Sequence, residues 1–305
     1  MALHRLTAIT IGVPDLATTA AYYEAFGLGA MGDGRFATAD GGEQLRLVPS
    51  PRRRLVELGV GAESPDDLLR IAARLRRLDL AVASDGDRLR VTAPGVEVDV
   101  VVKVAPPITA EAAPPCAVNQ PGRLTRYNTR APALARAAPV RPRKLGHVVM
   151  GSTDQEATER FFTDGLGFKV SDQVPGMAAF LRCSTDHHNV LVLAAPVAFL
   201  HHTSWEVDDV DEVGRGATAM LAQDPGRHVW GLGRHHIGSN FFWYLKDPAG
   251  NFSEYYSDLD CIVDDALWKP EVFEGARGLF NWGPPPPPSF LEPEDLGALM
   301  TAAHR

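Results

Sequence analysis

Two stretches of this chain alternate apolar and polar residues, turn, and then adopt a helical spacing, in the same order each time. Leu6-Thr7-Ala8-Ile9-Thr10-Ile11-Gly12 is followed by Asp15 and then by Ala21-Tyr22-Tyr23-Glu24-Ala25-Phe26-Gly27-Leu28-Gly29. Leu145-Gly146-His147-Val148-Val149-Met150-Gly151 is followed by Asp154 and then by Arg160-Phe161-Phe162-Thr163-Asp164-Gly165-Leu166-Gly167-Phe168. The alternation predicts a strand, the amphipathic run a helix, and the glycine its stop. More strand-like runs follow in both halves. Ser64-Pro65-Asp66-Asp67 and Asp208-Asp209-Val210-Asp211 offer capping side chains and then acidic residues, which suit the positive end of a helix. Each half therefore predicts strand, helix and strands, so the chain carries an internal repeat.

Between the halves, Ala105 to Pro142 is rich in Pro and Ala and lacks periodicity, which predicts a connector with short helical pieces. Beyond Tyr256 the pattern changes again. Residues 264–277 predict a helix or packed loop, Pro284 to Pro288 a polyproline II segment, and 292–304 a helix. The expected divisions are a first repeat over 1–105, a connector over 106–142, a second repeat over 143–260, and a tail over 261–305.

Composition then narrows the function. The 305 residues are enough for two domains, and 45% hydrophobic with 22% charged residues is a globular balance. A net charge of −8 argues against a nucleic-acid partner. The one dense basic run, Pro51-Arg52-Arg53-Arg54, reads as a solvated loop. MALHRLTAIT lacks the apolar core of a leader, and the longest apolar stretch, Val190 to Leu200, is far short of the ~20 residues of a membrane span. Cys116, Cys183 and Cys261 form neither a disulfide framework nor a Cys-x-x-Cys pair. These features predict a reduced, cytoplasmic protein with no membrane partner.

The candidate chemistry rests on His147, His202 and Glu254. Each lies in a strand-like run: KLGHVVM, FLHHTSWEV and WYLKDPAGNFSEYY. Two imidazoles and a carboxylate on one face leave coordination positions of Fe(II) open, the arrangement by which non-haem iron binds substrate and O2 together. Singly they say less: His147 also suits a core beside Val149, and Glu254 an exposed edge. His201 or His202 could serve. Strict alternation sends His201 toward the core with Thr203 and Trp205 and leaves His202 with Ser204 and Glu206, which favours His202. The first repeat offers Ala8 opposite His147, an apolar residue near Leu55 opposite His202, and Asp99 opposite Glu254. A metal is therefore expected in the second repeat alone.

At these residues the chain resembles the two-domain extradiol ring-cleaving catechol dioxygenases of the vicinal oxygen chelate superfamily. The resemblance spans residues 1–260 and is specific over 143–256. Its best stretch is Gly233-Arg234-His235-His236-Ile237-Gly238-Ser239-Asn240-Phe241-Phe242-Trp243-Tyr244-Leu245-Lys246-Asp247-Pro248-Ala249-Gly250-Asn251-Phe252-Ser253-Glu254. Trp243 departs from the aliphatic residue or Phe usual before the tyrosine. The resemblance implies an α+β fold of tandem paired βαβββ modules, two similar domains with the metal in the C-terminal one. It implies Fe(II) on His147, His202 and Glu254, with Mn(II) suited to the same ligands. His188 would be the acid/base facing oxygen, His235 would hydrogen-bond the substrate, and Tyr244 would contact a substrate hydroxyl and aid its ionisation. The substrates would be a catechol and O2, and the product a 2-hydroxymuconic-semialdehyde-type compound. A homo-oligomer and a C-terminal active-site lid, around Trp282-Gly283 and the prolines, are implied as well. Rival readings on this fold are a glyoxalase-type isomerase, a resistance enzyme, or a non-catalytic binding protein. None of these needs the His188, His235 and Tyr244 set.

Overall fold

Sixteen strands form two eight-stranded sheets in this computed structural model, one from each half of the chain; residues 2–115, 117–274 and 278–303 are described. The first sheet holds β1 (Leu3–Val13), β2 (Gly29–Gly32), β3 (Arg35–Thr38), β4 (Gly42–Pro49), β5 (Arg54–Ala62), β6 (Ala83–Ser84), β7 (Arg88–Ala93) and β8 (Val98–Val104). Their order is β2-β3-β4-β1-β5-β8-β7-β6. The second holds β9 (Lys144–Ser152), β10 (Lys169–Val174), β11 (Ala178–Arg182), β12 (Val190–Ala194), β13 (Phe199–Glu206), β14 (His228–Arg234), β15 (Phe241–Lys246) and β16 (Phe252–Ser257). Its order, β10-β11-β12-β9-β13-β16-β15-β14, repeats the first. Each sheet is two βαβββ units joined along an antiparallel central pair, β1 with β5 or β9 with β13. The expected tandem fold is the one observed.

The helices are α1 (Leu16–Ala25), α2 (Pro65–Arg77), α3 (Gln155–Arg160), which continues as a π-turn over Phe161–Leu166, and α4 (Val210–Gln223). Asp15, Ser64, Asp154 and Asp209 cap them, each accepting from the backbone N–H three residues on. Their apolar sides and the sheets build one core that runs through both halves. Phe26 of the first half stacks on Tyr255 of the second at 3.9 Å, and the Tyr255 hydroxyl donates to the Phe26 carbonyl. Gly27 follows at φ +99°, and a Cβ there would lie 2.1 Å from the Val140 carbonyl oxygen. Only glycine lets the connector cross so closely at that backbone angle.

Register fixes which positions of the two halves are equivalent. Ala8 pairs with Gly59 as His147 pairs with Ser204. Glu57 pairs with Asp99 as His202 pairs with Phe252, and Gly59 with Val101 as Ser204 with Glu254. The counterparts of His147, His202 and Glu254 are thus Ala8, Glu57 and Val101. This corrects the expected Leu55 and Asp99. Both central strands carry a bulge at the equivalent place, at Val56 in β5 and His201 in β13, so the correspondence between the repeats is kept through it. Arg90, the counterpart of Tyr244, pairs with Glu57 and Asp99, so the first half has an exposed ion-pair cluster in place of the second half's site.

Outside the sheets the expectations fare unevenly. The connector holds one 3-10 turn, Pro132–Ala135, and is tied down by Arg136 to Asp209 and Glu212. In the tail, residues 264–274 are not helical. Pro287 has polyproline II angles, but Pro288 opens a short helix, α5 (Pro288–Leu291), and α6 spans only Leu296–Ala303. Cys116, Arg277 and His304 lie outside the described residues. Arg53 is not in a solvated loop. It is 4% exposed and donates to both carboxylate oxygens of Asp295, to the Leu200 carbonyl and to Asn251. Among the described residues no helix is long and apolar enough to cross a membrane.

Candidate metal centre

The three central strands of the second sheet bring His147, His202 and Glu254 to one point. His147 on β9, Ser204 on β13 and Glu254 on β16 form one row across the ladder, and His202 stands two residues before Ser204 on the same face. Ser204 is small, so the larger side chains on either side converge over it. Its hydroxyl donates to Glu254 Oε2 at 2.5 Å. One nitrogen of each histidine and a carboxylate oxygen lie within 4.8 Å of one another. His147 Nε2 is 3.1 Å and His202 Nε2 is 3.7 Å from Glu254 Oε2.

All three side chains are buried, which is costly for polar groups without partners. His202 Nε2 has no hydrogen-bond partner among the described residues, although it points at the carboxylate. A divalent cation would satisfy that lone pair, the His147 nitrogen and the carboxylate together. The N, N, O donor set fits Fe(II) or Mn(II). Burial alone would raise the Glu254 pKa. The hydrogen bond with His147, 3.1 Å away, outweighs it and holds the carboxyl well below its ordinary range. Burial pushes His202 and His188 well down from the histidine value, so both stay neutral and can offer lone pairs.

Two of the three adjacent histidine pairs, His187 with His188 and His201 with His202, are wired alike. At the β13 bulge, His201 does not turn into the core with Trp205; it stays beside His202 on the site face. Its Nδ1 lies 2.7 Å from His202 Nδ1, and its Nε2 lies 2.6 Å from the Phe290 carbonyl oxygen. A carbonyl only accepts, so His201 donates from Nε2 and accepts at Nδ1 from His202 Nδ1–H. His202 Nε2 is then the bare nitrogen. In the other pair, His187 Nε2 lies 3.0 Å from Asp172 Oδ2, and His187 Nδ1 lies 3.0 Å from His188 Nδ1. The His188 ring lies 4.2 Å from that of His147.

On the opposite flank, His235 Nδ1–H donates to the Leu279 carbonyl, and the Tyr244 hydroxyl donates to His235 Nε2 at 2.9 Å. His235 Nε2 is 3.7 Å from Glu254 Oε1, and Asn240 Nδ2 donates to that oxygen at 3.2 Å. Burial and the Glu254 charge raise the Tyr244 pKa far above the ordinary phenol value. The six sequence candidates therefore gather in one place. Ser204, Asn240, His187, Asp172 and His201 are additional, and only the paired histidines carried a sequence signal. Asp247 of the Asp-Pro-x-Gly stretch is structural: it caps the β15–β16 turn at the backbone of Ala249 and Asn251.

Acid should destabilise the metal-free protein in two steps. Burial lowers His201 from 6.5 to about 4, so the unfolded chain binds a proton there that the folded chain refuses. Stability is full above 6.5 and falls as pH drops toward 4, by on the order of 3 kcal/mol from His201 alone. Glu254 adds a loss below 4.5, because its folded-state pKa is depressed. Urea unfolding between pH 7 and about 3 measures both steps. A flat profile would mean these imidazoles are not held neutral.

Comparison with known proteins places the second half within the Glyoxalase/Bleomycin resistance protein/Dioxygenase superfamily, whose model matches residues 144–255. Metapyrocatechase 2 of Cupriavidus necator is 30% identical over 306 residues, covering 95% of this chain and 92% of that protein. The manganese-dependent 2,3-dihydroxybiphenyl 1,2-dioxygenase of Geobacillus genomosp. 3 is 25% identical and covers 79% of each. Among solved structures, the Mn(II)-bound glyoxalase of Novosphingobium aromaticivorans superposes with a TM-score of 0.73, at 26% identity over 93% of both chains. Homoprotocatechuate 2,3-dioxygenase of Arthrobacter globiformis shares the fold, with a TM-score of 0.75 at 18% identity over 95% of this chain and 91% of that one.

Proposed function

This chain belongs to the extradiol ring-cleaving catechol dioxygenases, and we propose that it uses one Fe(II) held by His147, His202 and Glu254 to cleave a catechol. The observation that carries this reading is the convergence of that donor set with His188, His235 and Tyr244 in one buried place. The bound ion would lower the pKa of a coordinated hydroxyl, align substrate with O2 and pass electrons between them.

The protein's own groups manage the protons. Tyr244 stays protonated, because burial and Glu254 keep its pKa high, so it serves as a donor. Turned toward the substrate, its hydroxyl stabilises an ionised ring oxygen. His235, fixed by Leu279 as an acceptor at Nε2, takes the proton released there. His188 starts neutral, so any proton it delivers is one it has first removed. The second substrate hydroxyl is the source, and the departing oxygen is the destination. Both atoms of O2 end in the product.

The walls beside the site are of two kinds. Val149 lies two residues from His147 on the same face, Leu191 pairs with it on β12, and Val174, Ala178 and Ile237 pack with them. A cavity of about 520 Å³ beside His235 is lined by the aromatic rings of Trp268 and Phe273 and by the cations of Arg234 and Lys269. Arg234 is paired with Asp258, and Lys269 would be the partner for a carboxylated catechol. Arg182 is engaged by Asp265 and Ser171, and Arg227 lies over Tyr22. The same reading implies a cytoplasmic homo-oligomer, open to sizing in solution.

The test is anaerobic loading with Fe(II), then air and a panel of neutral and carboxylated catechols. The expected result is yellow product and one O2 consumed per ring, with the ratio of neutral to carboxylated turnover reporting whether Lys269 meets the substituent. A tightly bound ion without O2 uptake on any catechol would overturn the reading.

A further inference from the structure

The tail crosses the site as a frame of backbone acceptors. The carbonyls of Leu279, Pro284 and Phe290 accept from His235 Nδ1–H, Trp230 Nε1–H and His201 Nε2–H respectively. The Phe290 ring packs on His201, Trp230, Tyr244 and Phe252. What holds this segment is Arg53, from the other half of the chain. It grips Asp295 with two hydrogen bonds, 2.6 and 2.7 Å, and uses its third arm on the Leu200 carbonyl at 2.5 Å, next to His201. One guanidinium thus pins the tail and the bulged strand together.

We propose that this clasp makes the tail a positioning element of the metal centre: Asp295 and Arg53 seat the Phe290 carbonyl, the carbonyl fixes His201, and His201 fixes the tautomer of the ligand His202. The steps follow from donor and acceptor counts. A neutral imidazole has one of each. With Phe290 taking the His201 Nε2 proton, His201 Nδ1 accepts from His202 Nδ1–H, and His202 Nε2 is left bare toward Glu254 and His147. Without the carbonyl, His201 is free to carry its proton on Nδ1, and His202 then to carry its own on Nε2, where it blocks coordination. His201 and Asp295 act through His202 and need not touch substrate. The proposal rests on a metal being held at this site, as proposed above.

The test is Mn(II) binding by the full-length protein, read from the loss of the free-ion electron paramagnetic resonance signal, with thermal unfolding of the metal-free forms alongside. Phe at 201 cannot accept from His202, and His201→Phe should weaken Mn(II) binding roughly 10- to 100-fold. Gln offers an amide N–H to donate and a carbonyl oxygen to accept, so His201→Gln should recover most of that loss. Asp295→Asn should weaken binding several-fold. Nitrogen-15 spectra of its metal-free form should show His202 shifting from the Nδ1–H tautomer toward a mixture. If Asp295→Asn and His201→Phe lower the unfolding temperature but leave Mn(II) affinity and the tautomer unchanged, the tail is merely packed there and the proposal falls. If the unaltered protein binds no Mn(II) or Fe(II), the proposed function falls with it.

Discussion

Glu254→Gln yields a folded protein that retains no tightly bound metal, and ring cleavage falls by roughly a thousandfold or more. Gln keeps the size of Glu but removes the single negative charge of the donor set. It also turns one of two accepting oxygens into an N–H₂ group. That group faces the donors Ser204 or Asn240, which now have no carboxylate oxygen to meet. Loss of the several kcal/mol of charge stabilisation that a metal supplies is enough for three powers of ten in rate. Metal content after gel filtration, oxygen uptake and circular dichroism decide the matter. A variant with one equivalent of metal and a tenth of the original rate would remove Glu254 from the ligand set.

His188→Phe separates chemistry from metal binding. Phe fills the space against Phe180 and the His147 ring, so His147 stays in place. A positioned acid/base group contributes about 10²- to 10⁴-fold, and turnover should drop within that range at unchanged metal content. The catechol should still bind but keep its second hydroxyl protonated in the anaerobic complex, and the loss of rate should appear in the oxygen-dependent phase. Stopped-flow mixing of the anaerobic substrate complex with O2 resolves the two. Loss of metal in this variant would make His188 a structural neighbour of His147; an unaltered oxygen phase would move the proton transfer elsewhere.

The site's inner residues were legible because each of the three ligands sits in a strand whose other residues are those of a core. A buried carboxylate or imidazole in such a strand calls for compensation. The aromatic strand with Tyr244 and the Asp247 turn before Glu254 added a specific pattern. Strict period-two reasoning failed at His201, because it assumes an unbroken ladder and β13 bulges there. Glu57 and Val101 were missed because the first repeat has no ligand side chains to anchor the register, which only the strand pairing fixes. Arg53 looked like surface because its partners, Asp295 and the Leu200 carbonyl, are far along the chain. The acceptors from the tail were out of reach altogether. A backbone carbonyl leaves no residue type to read, so Leu279, Pro284 and Phe290 gave no hint of what they accept.

The shared bulge has a consequence for how the enzyme acquires its ion. The first repeat keeps this kink at Val56 although Ala8, Glu57 and Val101 cannot chelate anything. The kink is therefore a property of the shared βαβββ frame and does not depend on coordination. Metal-free protein should keep the circular dichroism of the loaded form, and loading would then be simple association and not coupled folding.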